Sequence, residues 1–143
     1  MKQLKASKDV VFAKIGIIQR CLVRIKKTTN LQESALDDLN KQDIYVLNLQ
    51  RAIQACIDLA NHIVAENSLG VPASLKEPFL FLKENSVISA DLCNKMESMV
   101  GFRNVAVHEY QELDVSVLKA ILKNHLKDID NFYKQILKKT KGI

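Results

Sequence analysis

DIYVLNLQRAIQACIDLANHIVAE, residues 43–66, is the longest apolar segment of the chain, and its reading decides the fold class. At about 100° per residue, its apolar positions cover more than half of a helical circumference. Only a narrower stripe stays polar: Asp43, Gln50, Arg51, Gln54, Asp58, Asn61 and His62. A helix apolar over so wide an arc lies at the centre of a bundle or touches a second chain as well. Homodimerisation is therefore expected. Within the stripe, Asp58 and His62 stand one turn apart, a spacing that allows a hydrogen bond.

The flanking segments carry the same period. Val11, Ile15, Ile18, Leu22 and Ile25 follow steps of four and three, and the pattern runs out at TTN, residues 28–30, with Asn30 as the end residue. LGVPAS, residues 69–74, is a loop punctuated by Gly70 and Pro72. SLKE, residues 74–77, reads as a capping box that opens a short helix with Pro78 in its first turn. ENSVIS then interrupts, and Ser89 caps a helix whose apolar side holds Leu92, Met96 and Met99. Asp114 caps a single long last helix with the face Leu118, Leu122, His125, Ile129, Phe132 and Ile136. The expectation is an all-α protein: one domain over residues 1–143, an antiparallel four-helix bundle with a short extra helix.

Composition agrees. Four Gly, two Pro and no Trp are few for a β-rich chain. Cys21, Cys56 and Cys93 are scattered and have no metal-ligand spacing, so they read as buried small hydrophobes. There is no signal-peptide core and no apolar run long enough to cross a bilayer, which points to a cytoplasmic protein without membrane contact. The net charge of +5 is uneven: residues 1–30 hold eight Lys or Arg against Asp9, and the tail adds Lys134, Lys138, Lys139 and Lys141. Such basic ends suit nucleic acid or simply a solvated surface.

Most routes to catalysis find no support. Three histidines without HxxxH or HExxH spacing give no reason to propose a metal, the glycines are isolated, and there is no GxSxG elbow. His125, on an apolar face, reads as a hydrogen-bonded core or interface residue. What remains is GFRNVAVHEY, residues 101–110, with Arg103, Asn104, His108 and Tyr110. Cleaving RNA without a metal needs a group near neutral pKa to take the 2′-hydroxyl proton, which a histidine supplies. It also needs a fixed cation for the pentacovalent phosphorane, which the planar Arg fork supplies. Asn104 could orient His108 or donate to a phosphate oxygen. In an unbroken helix, however, Arg103 and His108 lie about 140° apart. Either the helix distorts here, or two copies meet and each cleft draws on both chains. Gly101 would ease that approach.

MVGFRNVAVHEY, residues 99–110, resembles the Arg–four residues–His–any–Tyr motif of HEPN-domain toxins of the HepT type, partners of the MNT nucleotidyltransferase antitoxin. Residues 43–66 and the following LGVPASLKEPFLFL also look like that family, so the resemblance spans about half of the chain, residues 43–112. It implies a dimeric, metal-independent endoribonuclease without a cofactor. Arg103 and His108 would be the catalytic pair and Asn104 the polar residue beside the Arg. Tyr110 would be the target to which an antitoxin transfers AMP from ATP. The competing expectation is a non-catalytic HEPN module that only docks a nucleotidyltransferase.

Overall fold

The computed structural model describes residues 4–140, so the ends of the expected domain, Lys141 among them, lie outside the described residues. Six α-helices form in chain order: α1 (Lys8–Thr29), α2 (Leu39–Glu66), α3 (Glu77–Glu84), α4 (Ala90–His108), α5 (Val115–Asn124) and α6 (Leu126–Lys139). Two 3-10 turns, Glu33–Asp37 and Tyr110–Glu112, complete the path, and the described residues contain no strand.

Local signals set the ends. Ser7 accepts from the Val10 amide to start α1, and Asn30 closes it in the left-handed region at φ 51°. Ser89 accepts from the Leu92 amide at 3.1 Å to open α4. At α3, Ser74 Oγ accepts from the Glu77 amide at 3.2 Å, but the Glu77 carboxylate reaches back to the Ala73 amide, one residue before the expected box partner. Gly70, at φ 153°, lies so close to the Phe81 ring that a Cβ there would sit 2.7 Å from Cε2. Only glycine combines that backbone with that approach.

α2 is the axis of the molecule. It packs most extensively on α1 and also touches α3, α4 and α6. Its wide apolar arc is consumed inside one chain: Tyr45, Val46, Leu49, Ala52, Ile53, Ala55, Cys56, Ile57, Leu59, Ala60, Ile63 and Val64 are all buried. Of the arc, Leu47 is the large apolar side chain left exposed. The central-bundle alternative thus accounts for the arc, and the arc no longer argues for a second chain. α2 also begins earlier than its apolar pattern, at Leu39, because Asp38 accepts from the Lys41 amide and caps it.

Two expectations are corrected. The last helix is not continuous; it breaks at His125 (φ −123°, ψ −4°) into α5 and α6. The break lets the two halves cover different neighbours. α5 lies on the first 3-10 turn, where the buried Tyr45 hydroxyl donates to the Leu118 carbonyl at 3.0 Å, while α6 closes on α2 and α4. His125 is accordingly half-exposed and pairs through Nδ1 with Asp128 at 3.0 Å.

Nor do Asp58 and His62 pair. Asp58 takes Lys14 at 3.0 Å and Gln54 at 2.9 Å, while His62 Nε2 accepts the Ser7 amide at 2.9 Å. Both found partners across the helix interface, where the chain supplies competing groups. The buried thiols are as expected: Cys21, Cys56 and Cys93 are free and enclosed. Phe79 meets Phe132 edge to face, ring centroids 5.3 Å apart, where α3 joins α6.

Candidate functional site

α4 brings up the motif of interest. It runs unbroken from Ala90 to His108, and the Glu109 amide still bonds to the Val105 carbonyl at 2.8 Å. Phe102 and Ala106 are buried and seat its last turns in the core. Of the two alternatives for the diverging side chains, helix distortion is therefore not taken. Arg103 and His108 leave α4 in different directions.

Arg103 is half-buried and held on α2. Its Nε donates to Gln54 Oε1 at 3.1 Å and its Nη1 to Asn104 Oδ1 at 3.0 Å. Gln54 is itself fixed, since its amide nitrogen donates to Asp58 Oδ1 and Asp58 Oδ2 takes Lys14. A relay Lys14–Asp58–Gln54–Arg103–Asn104 thus runs from α1 through α2 to α4. It orients the guanidinium with a neutral acceptor, so the cation keeps its charge for something else. Asn104 turns its oxygen to Arg103, and no side-chain hydrogen bond joins it to His108. His108, the last residue of α4, is exposed and has no side-chain hydrogen bond among the described residues.

Tyr110 opens the 3-10 turn that follows and is 43% exposed. Its hydroxyl donates to Asp43 Oδ1, near the start of α2. Burial, the hydrogen bond to Asp43 and the charge of that carboxylate push the phenol up to about 12. Tyr110 and Asp43 both line a shallow cavity of about 340 Å³, together with Val46, Leu47 and Gln50.

Asp43, Gln50, Gln54 and Asp58 form one stripe of α2, and this stripe serves both halves of the site: its first part holds Tyr110, its last part Arg103. Asp43 and Gln54 are about 16 Å apart along the axis. The sequence had shown the stripe as polar. It gave Gln54 and Asp43 no role, although their recurrence on one face of an otherwise buried helix was the available signal.

Elsewhere, a cavity of about 500 Å³ opens between α4 and α5, lined in part by Phe102, Val105, Val117 and Ile121; Arg103, His108 and Tyr110 are not among its walls. Among the described residues no three His, Cys, Asp or Glu gather as a metal site, and no helix is long and apolar enough to cross a membrane.

The family model described as "Ribonuclease HepT-like" matches residues 18–136, which takes in Asp43, Gln54, Asp58, Arg103, Asn104, His108 and Tyr110. The chain belongs to the HepT-like ribonuclease family. It is 40% identical over 124 residues to the mRNA nuclease HepT of Shewanella oneidensis, covering 87% of this chain and 93% of that one. It is 28% identical over 106 residues to the tRNA nuclease HepT of Aphanizomenon flos-aquae, covering 73% and 72%. Among solved structures, the tri-AMPylated Shewanella oneidensis HEPN toxin in complex with MNT antitoxin superposes with a TM-score of 0.87 at 38% identity, over 92% of this chain and 99% of that one. The all-helical HEPN fold is thereby established, and the chain is a nuclease of the HepT toxin type.

Proposed function

We propose that this HepT-like chain is the toxin of a toxin–antitoxin pair and cleaves cellular RNA without a metal, using Arg103 and His108. His108 takes the 2′-hydroxyl proton as that oxygen attacks the adjacent phosphate. Arg103, pre-set by Gln54, holds the charge that builds on the phosphorane. The product is a 2′,3′-cyclic end. The observation that carries this reading is the contrast between the two side chains: the cation is anchored and the imidazole is open to solvent.

Because unbroken α4 keeps them apart, each cleft combines residues of two copies in a homodimer. A nucleotidyltransferase of the MNT type is the antitoxin. It transfers AMP from ATP to Tyr110, placing negative charge and bulk where an RNA phosphate must enter. Two similar toxin–antitoxin complexes support this: one holds the AMPylated toxin, and the other, with a TM-score of 0.86 at 37% identity, was solved with AMP-PNP.

The test is RNA cleavage by purified protein with chelator present. Cyclic-phosphate ends are expected from the wild type and none from Arg103→Ala or His108→Ala. Cleavage retained by both variants would overturn the assignment, and a wild type inert on RNA would favour a docking module without nuclease activity.

A further inference from the structure

We propose that Asp43 of this chain is the general base for its own inactivation, taking the Tyr110 phenolic proton as the hydroxyl attacks the α-phosphate of a nucleoside triphosphate. The inference rests on the reading of Tyr110 as the AMPylation target, and adds a residue that the motif does not contain.

The geometry is specific. Tyr110 has one hydroxyl proton, and it already points at Asp43 Oδ1 across the junction of α2 with the turn after α4. Tyr110 is fixed there because it starts a 3-10 turn whose Glu112 and Leu113 amides bond back to Glu109 and Tyr110. Asp43 is fixed because it lies in the first turns of α2, the most enclosed helix of the fold. The oxygen lone pairs not engaged by this bond are free to meet phosphorus.

In the reaction the phenolic oxygen forms a bond to the α-phosphorus and the bond to the β-phosphate oxygen breaks. Pyrophosphate leaves, and the proton passes to the Asp43 carboxylate and then to water. A free phenol held well above its ordinary range is a poor nucleophile. Its acidity rises steeply as the new O–P bond forms, so a carboxylate can accept the proton in the transition state though not before it. An aspartate that takes a substrate hydroxyl proton in phosphoryl transfer is established chemistry.

The walls of the cavity bear on the division of labour. Asp43, Val46, Leu47, Gln50 and Tyr110 include no cation, so the triphosphate's charge must be met by the partner enzyme. This chain brings the nucleophile and its base; the partner brings the nucleotide. After transfer the tyrosine oxygen has no proton to donate, and a phosphodiester anion faces the Asp43 carboxylate. The tie between Tyr110 and α2 is then lost, and Tyr110 is pushed off Asp43.

The test uses purified toxin, the purified partner nucleotidyltransferase and ATP, with AMP incorporation followed by intact mass. Asp43→Asn keeps an oxygen that can accept the hydrogen bond and removes the base. Its far-UV circular dichroism and thermal midpoint should match the wild type. The expected result is a fall in kcat of about 10²-fold or more, with KM for the toxin unchanged.

Tetrafluorotyrosine at position 110 is ionised at neutral pH and needs no base, so the Asp43→Asn penalty should largely vanish with it. Modification of Asp43→Asn at the wild-type kcat overturns the proposal. So does a loss confined to KM, which assigns Asp43 to docking, or an undiminished penalty with the fluorinated side chain, which assigns it to positioning. Tyr110→Phe separates the two levels: if it is still modified at the wild-type rate, the choice of Tyr110 itself is wrong.

Discussion

Gln54 accepts a hydrogen bond from Arg103 Nε at 3.1 Å, and this one contact fixes the guanidinium of α4 against the central helix. A hydrogen bond to a charged group contributes about 1.5–3 kcal/mol. Gln54→Ala removes it and also unties Asp58. RNA cleavage should fall roughly 10-fold, equivalent to about 1.4 kcal/mol in the barrier, with little change in thermal midpoint. Single-turnover cleavage compared with RNA affinity checks this; unchanged cleavage would mean that Arg103 needs no fixed orientation.

Mixing chains tests where the cleft lies. Arg103→Ala and His108→Ala homodimers should both be inactive. A mixed dimer, one copy of each, should recover about half of the wild-type rate if each cleft takes its Arg from one copy and its His from the other. A mixed dimer as dead as its parents would place both residues of a cleft in one chain.

Gly70→Ala should destabilise the fold by roughly 1–3 kcal/mol, because a methyl group there meets the Phe81 ring on a backbone that side chains avoid. Urea denaturation gives the value. A neutral result would mean that the loop before α3 shifts freely.

Alkaline titration reports on Tyr110. Its phenol is raised in the folded chain, so the protonated form is the one the fold favours. That contribution to stability is complete below the ordinary tyrosine range near 10 and is lost as pH rises towards about 12. In phenolate absorbance, the difference between wild type and Tyr110→Phe should show a late step. Asp43→Asn should move that step down, since it removes the carboxylate charge.

Much of the fold was legible because burial imposes a period. Ser89, Asn30 and Asp114 mark ends by side-chain chemistry that is local to a few residues. The break at His125 was not legible: Leu118, Leu122, Ile129 and Phe132 keep a helical spacing through it, and only the separate surfaces under α5 and α6 divide them. Arg103, His108 and Tyr110 stood out as chemistry-bearing groups in an apolar run. Their supports did not, since Gln54 and Asp43 are distant in sequence and look like any polar positions on a helix. A side chain chosen to hold another carries no signature until the two helices are in contact.

The three enclosed thiols have a practical consequence. Cys21, Cys56 and Cys93 sit one each on α1, α2 and α4, and burial raises all of them, Cys93 to about 11. Each is thus both shielded and protonated, and an alkylating reagent reaches it only when its own helix opens. The protein therefore carries three internal clocks, one per helix, readable by mass without any engineered label. Run with and without the antitoxin, they would time how tightly inactivation clamps each part of the bundle.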